Sequence, residues 1–223
     1  MVLEVIQREI PVRGIGYIIL RDCPEDRLGE ALGKGMEKLK KAGAKQVWAA
    51  SLPEGEPLHP GPVGVWRLTH VHDLLTFARP LAGRDRPAVR LSLRPLKKAL
   101  DDKCYAELMD RAYRDVPNAR TVDPAGLRIP NHRLGLAWLG DRFVGAYHLD
   151  LSEKVPEITA LAIDPEFRRQ GFGQALLLSL MDTLGKAEKC VLTVSSANAP
   201  ALALLEKAGF AQTGVDSSWF EVV

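Results

Sequence analysis

The segment from Glu157 to Leu180 constrains the fold more than any other stretch of the chain. Beyond Glu157 it runs through an apolar strand pattern to Ile163, turns at Asp164-Pro165, and crosses the loop Arg168-Arg169-Gln170-Gly171-Phe172-Gly173 into an apolar-periodic helix. A strand that feeds a helix through so short a loop leaves the first backbone N–H groups of the helix without intrahelical partners. The helix dipole makes that end positive, two guanidinium groups stand beside it, and glycine lets the backbone approach a ligand without a Cβ clash. The loop is therefore built to hold an anion, and a diphosphate is its natural guest.

Composition narrows the possibilities further. The 223 residues are 46% hydrophobic and 26% charged, which describes an ordinary globular chain of one large domain or two small ones. A net charge of +2 gives no field that would recruit nucleic acid or an anionic membrane as the main partner, so neither is expected. The three cysteines, Cys23, Cys104 and Cys190, are far apart and odd in number, which offers neither a disulfide framework nor a zinc pair. Together with an N-terminus that lacks a basic region followed by a long apolar one, they lead to a cytoplasmic expectation.

Residues 2–6 and 15–20 read as strands, a helix follows that ends near Ala42, and 46–50 is a third strand. A loop with four prolines and three glycines covers 53–64, and 70–78 fits helix and strand equally. The charged, proline-bounded stretch 79–87 marks a boundary, giving domains 1–82 and 88–223. In the second, 89–93 reads as a strand, 98–114 as a charged helix, and 134–139 and 142–149 as a hairpin turning at Gly140-Asp141. Strand 157–163, helix 173–185, strand 190–194 and helix 199–208 complete an α/β order.

A shift of 144 residues, without gaps, lays Ile19 on Ile163, Gly29 on Gly173, Ala31 on Ala175, Leu32 on Leu176, Lys45 on Lys189, Val47 on Val191 and Ser51 on Ser195. Both segments read strand, turn, helix, strand, as a duplication would. Where the second copy has Arg168-Arg169-Gln170-Gly171, the first has Pro24-Glu25-Asp26-Arg27. The acidic turn would repel the anion that the basic one attracts.

No Gly-Lys-Ser/Thr follows the loop, as a nucleotide-hydrolysing P-loop requires, and the three-glycine dinucleotide fingerprint is missing. Instead Arg168, Gly171 and Gly173 resemble motif A of the GNAT N-acetyltransferase superfamily. Three further features agree: Ala162-Ile163-Asp164-Pro165-Glu166-Phe167 before the loop, Asn198-Ala199-Pro200-Ala201 beyond it, and Leu204 to Phe210, which is similar to motif B. The resemblance implies a mixed, mostly antiparallel sheet flanked by helices over 88–223, with 1–82 a degenerate partial copy. It further implies acetyl-CoA as cosubstrate and acetyl transfer to a primary amine by direct attack in a ternary complex. Backbone amides from Arg169 to Gln174, hence Arg169, Gln170, Gly171, Phe172, Gly173 and Gln174, would hold the pyrophosphate, with Arg168 beside them. Leu161, Ala162 and Ile163 would splay from the next strand to admit pantetheine, Asn198 would face its arm, and the Leu161 amide would face the thioester carbonyl.

An amine is mostly protonated at neutral pH, so its attack needs a base. Glu157, charged at the start of an apolar strand, is the candidate: the resemblance implies it, since some members carry a catalytic glutamate fourteen residues before Gly171, against the alternative of a solvated strand-end carboxylate. The motif B position at which many members carry a tyrosine as general acid is Leu205 here, leaving Tyr147, the Cys190 thiol, water or departure of an unprotonated thiolate, and no acid assigned. Tyr147 and His148 are candidates for the acceptor cleft, and Trp138 and Trp219 for core or rim. His70 and His72 alternate but lack a third ligand, so no metal is expected. Lys34, Lys38, Lys40 and Lys41 read as a solvated helix face. Small amines and peptides both remain open as acceptors, as does a non-catalytic acyl-CoA-binding role, and the oligomeric state is not legible.

Overall fold

The computed structural model describes residues 2–51, 57–81, 87–185 and 187–223. Residues 53–56 of the expected loop and 82–86 of the expected boundary lie outside the described residues. In chain order the strands and helices are β1 (Val2–Ile6), α1 (Ile10–Arg13), β2 (Ile15–Arg21), α2 (Glu25–Lys41), β3 (Gln46–Ser51), β4 (Gly61–Val63) and β5 (Trp66–Pro80). There follow β6 (Ser92–Pro95), α3 (Ala99–Ala112), β7 (His132–Leu139), β8 (Arg142–Asp150), β9 (Glu157–Ile163), α4 (Phe172–Asp182), β10 (Lys189–Ser195), α5 (Ala199–Lys207) and β11 (Ala211–Val222). The stretch that fitted helix and strand equally is thus a long strand, and β6 begins later than the alternation at 89–93 suggested.

Two compact units divide the chain: residues 1–75, 195–197 and 214–223 form one, and 76–194 with 198–213 the other. In the first unit, β2 pairs antiparallel with β1 and parallel with β3, and β11 returns antiparallel onto β3 through Trp219, Phe220 and Glu221. No sequence signal marked β11, so its last residues, read as part of a C-terminal domain, belong to this unit instead. One face of its sheet packs Ile18, Leu20 and Val47 against Leu32, Met36 and Leu39 of α2. The helix can lie that close because Gly16 and Gly35 leave room for Leu39 and Ile18, which a Cβ at either position would meet at 2.5 Å. The opposite face of α2 carries the lysines Lys34, Lys38, Lys40 and Lys41, all exposed as expected.

In the second unit, β10 is parallel to β9, and β9, β8, β7 and β6 follow in antiparallel succession. This is a mixed, mostly antiparallel sheet with helices on both faces. Leu134, Leu136, Ala146 and Ala162 pack under Tyr105, Leu108 and Met109 of α3. On the other face Gly145 of β8 sits beneath Ile163 of β9 and Leu176 of α4. A Cβ on Gly145 would lie 2.5 Å from the Ala162 carbonyl oxygen, a backbone atom that cannot step aside. Gly145→Ala is therefore expected to lower stability by about 1–3 kcal/mol, read as a lower urea midpoint with an unchanged slope.

Candidate active site

The site begins where two strands stop pairing. Strands β9 and β10 share a single register pair, Glu157 opposite Val191, reinforced by the Val191 N–H bonded to the Pro156 carbonyl at 3.0 Å. In the first unit the corresponding strands, β2 and β3, stay paired through six registers, from Ile15 opposite Gln46 to Leu20 opposite Ser51. The splay expected over Ala160–Ile163 is thus present in the second unit, while β2 and β3 of the first are zipped shut.

Backbone polar groups along the open edge must find partners, since an unpaired buried N–H or C=O is costly. The Asp164 N–H is bonded to the Val144 carbonyl of β8 at 3.0 Å, so by strand alternation Leu161 and Ile163 turn their N–H and C=O groups the other way, toward the splay. At Ile163 the carbonyl accepts from Nε of Arg168 at 3.2 Å. The Arg168 side chain therefore anchors the loop to the strand end, a role that the reading of it as an anion-facing group did not include. At Leu161 the amide donates to the Tyr113 hydroxyl at 3.1 Å, and the same hydroxyl donates to the Leu161 carbonyl at 3.0 Å. The amide expected to face a thioester is thus held by a phenol from the C-terminal end of α3. Tyr113 escaped the sequence reading because nothing in a charged helix marks its last turn as reaching a strand 48 residues away.

Beyond the strand, Asp164 caps the short turn 165–167 by accepting from the Glu166 N–H at 3.1 Å, and its other oxygen pairs with Arg111. The loop then reaches α4 through Arg169 at φ 62° and Gly171 at φ 83°, both left-handed. Gly171 is the N-cap, no side chain caps the helix, and nothing stands within 4 Å of where its Cβ would be. The first turn of α4 carries no acidic residue, whereas that of α2 carries Glu25 and Asp26. Gly173 brings α4 against Leu204 of α5, 3.4 Å from its would-be Cβ. Asn198 caps α5 by accepting from the Ala201 N–H at 3.3 Å, so its carbonyl oxygen has a structural duty as well. These features fit the phosphate end of a coenzyme: bare amides, a positive dipole and open space.

Glu157 opens β9 as expected, but its face is set by a bulge. Leu149 opposes Ile158 and His148 opposes Ala160, which leaves Thr159 unopposed and reverses the alternation on its N-terminal side. Glu157 consequently shares the α3 face with Asp150, directly opposite, and with His148 and His132. There Nδ1 of His132 and Nε2 of His148 are 2.8 Å apart, and Nε2 of His132 is 3.5 Å from Asp150. His148 is therefore part of a polar cluster. Burial pushes its imidazolium down to about 4, His132 acts in the same direction, and Asp150 opposes both. Hydrogen bonds from Ser152 hold the Asp150 carboxyl below its ordinary range.

The remaining candidates fall elsewhere. Tyr147 is buried, with its hydroxyl against Gly135, and burial raises its pKa, so it lines no cleft. Cys190 is buried with its thiol pushed up to about 11, a poor proton donor. Leu205 is a core residue. Trp219 is buried in the first unit, stacked at 3° on His72, which also contacts Oγ of Ser195 at 3.1 Å, while His70 pairs with Asp73 at 2.9 Å. Trp138 lies under the Arg94 guanidinium. Among the described residues no cluster of three metal-ligating side chains occurs, and no helix is long and apolar enough to cross a membrane.

An open strand pair leading to an uncapped, glycine-initiated helix is the layout that the resemblance implied. The acetyltransferase (GNAT) family model matches residues 94–210, more than half of the chain, and the protein belongs to that family. It is 30% identical over 168 residues to a mycothiol acetyltransferase from Geodermatophilus obscurus, a match covering 66% of this chain and 54% of that protein. A segment of 62 residues is 39% identical to the ribosomal-protein-bS18-alanine N-acetyltransferase of Escherichia coli, covering 27% of this chain and 42% of that one. The chain thus spans about half the length of these relatives. Among solved structures, a GCN5-related N-acetyltransferase from Sphaerobacter thermophilus shares the fold, with a TM-score of 0.59 and 14% identity over 99% of this chain and 75% of that one.

The histidine pair yields a measurable consequence. With a folded-state value near 4 against 6.5 for an ordinary histidine, His148 binds its proton less readily in the folded chain than in the unfolded one. The stability it contributes is complete above pH 6.5 and is lost as the pH falls toward 4. Urea midpoints measured across that window should fall with acidity, and His148→Gln should flatten the profile.

Proposed function

We propose that the protein transfers an acetyl group from acetyl-CoA to a primary amine by direct attack in a ternary complex. The observation that carries this reading is the unzipped β9–β10 pair, which ends beside an uncapped helix N-terminus. An extended pantetheine arm fits such an opening because its amides pair with a free strand edge as another strand would. The pyrophosphate then falls to the backbone amides from Arg169 to Gln174, with Leu161, Ala162 and Ile163 along the arm and Asn198 across from it. Bound there, acetyl-CoA supplies an activated acetyl thioester. In this reading the Leu161 N–H stabilises charge developing on the acyl oxygen, a contribution on the order of 3 kcal/mol for one such donor. Glu157 takes the amine proton, directly or through water; its position on the face shared with the histidine pair supports this role.

The first unit is a degenerate copy that no longer takes coenzyme. Its strands are fully paired where the slot would open, and its turn carries Glu25 and Asp26 where the anion would sit. Calorimetric titration with acetyl-CoA should accordingly find one site per chain, abolished by Gly171→Glu in protein that circular dichroism shows to be folded. A second site would overturn the degeneration argument, and no binding would overturn the acetyl-transfer reading.

The relatives act, by their names, on mycothiol chemistry or on a ribosomal-protein alanine, so small-molecule and peptide amines both belong in an acceptor screen. With an active acceptor, Glu157→Gln should reduce kcat by about 10²–10⁴-fold while leaving coenzyme affinity unchanged. Leu205, in place of the phenol many relatives carry, favours one alternative: a coenzyme-binding module without turnover. Such a protein would bind acetyl-CoA yet acetylate no amine in the screen.

A further inference from the structure

We infer that Tyr113 is a catalytic residue, a second hydrogen-bond donor to the acyl oxygen beside the Leu161 amide. The inference rests on the acetyl-transfer reading above. Its basis is one atom: the Tyr113 hydroxyl lies 3.1 Å from the Leu161 nitrogen and 3.0 Å from the Leu161 oxygen, on the edge of β9 that faces the splay. It serves there as a one-atom substitute for a pairing partner, accepting from the N–H and donating to the C=O. An acyl carbonyl that takes the Leu161 N–H must displace the phenol oxygen from that N–H. The same phenol stays within hydrogen-bond reach of the newcomer, and its O–H needs only to turn from the Leu161 carbonyl to the acyl oxygen.

The chemistry suits a donor that keeps its proton. Burial raises the phenol pKa above its ordinary value of 10.0, against a smaller opposing effect of the Leu161 hydrogen bond, so Tyr113 is neutral at physiological pH and a reluctant acid. During transfer the C–N bond forms and the C–S bond breaks, the sulfur leaves with the electron pair, and the amine proton goes to the base. Tyr113 contributes only by holding the oxygen while its negative charge is greatest. A neutral, preoriented O–H in a partly closed slot does this without reorganising solvent. The position is unrelated to the motif B site, occupied here by the buried Leu205, and Tyr147, opposite Leu161 on β8, has its hydroxyl against Gly135 instead.

Infrared difference spectroscopy of acetyl-CoA labelled with ¹³C at the carbonyl tests this without an acceptor. Bound to the wild-type protein, the carbonyl band should lie below its frequency in free acetyl-CoA, and in Tyr113→Phe it should move back part of the way at unchanged stoichiometry. Replacing Tyr113 by 3,5-difluorotyrosine, a stronger donor of similar shape, should move the band further down, a change that a purely structural role would not produce. Equal band positions in all three proteins would overturn the inference, as would tighter binding by Tyr113→Phe with an unshifted carbonyl, the behaviour of a plug. Failure of the wild-type protein to bind acetyl-CoA would overturn the acetyl-transfer reading together with this one. Binding with an unperturbed band would overturn this one alone.

Discussion

An open strand edge inside a sheet must be satisfied by something, and the arrangement of the second unit follows from how β9 meets that demand. Its N-terminal end is paired on both sides, at Asp150 of β8 and Val191 of β10. Past that point β10 leaves, and the exposed groups of Leu161 and Ile163 are taken up by two side chains, Tyr113 and Arg168. Both partners come from the elements that wall the opening, α3 and the glycine loop. The Leu161 N–H and C=O and the Ile163 C=O thus have partners while the edge stays open to a ligand, and the loop is tied to the strand end that precedes it.

Two segments of the same element order allow a comparison within one chain. Both run strand, turn, helix and strand, yet β2 and β3 remain paired throughout while β9 and β10 part after one register. In β2 and β3 every residue from Ile15 to Leu20 has a parallel partner, and α2 is drawn tightly onto the sheet through Gly16 and Gly35. Closing the pair maximises backbone pairing and packing and leaves no slot. Opening it sacrifices ladder hydrogen bonds at the place where a ligand could replace them. This is a familiar trade, in which a functional site departs from the arrangement that stability alone would choose.

The polar cluster on the α3 face arises from an equally local cause. One unopposed residue, Thr159, brings Glu157 to the side of the sheet occupied by Asp150, His148 and His132. Without that bulge, strict alternation would put Glu157 on the α4 face with Leu161. A candidate base and its polar surroundings thus depend on a single inserted residue, and bulges near functional sites commonly redirect a side chain in this way.

Much of this was legible in the sequence where the physics is local. Glu157 to Ile163 reads as a strand because its apolar run is bounded by Asp164-Pro165, and the loop reads as an anion site because Gly171 permits the left-handed turn that starts an uncapped helix. Acidic Glu25 and Asp26 likewise set the first of the two turns apart from the basic second one. Tertiary structure alone decided the rest. The strand character of β5, the return of β11 onto β3, the bulge at Thr159 and the meeting of Tyr113 with Leu161 all depend on partners distant in the chain. Propensity and periodicity report what neighbouring residues prefer, whereas a pairing register or a phenol across an open edge is settled by which backbone groups are left to satisfy once the sheet has formed.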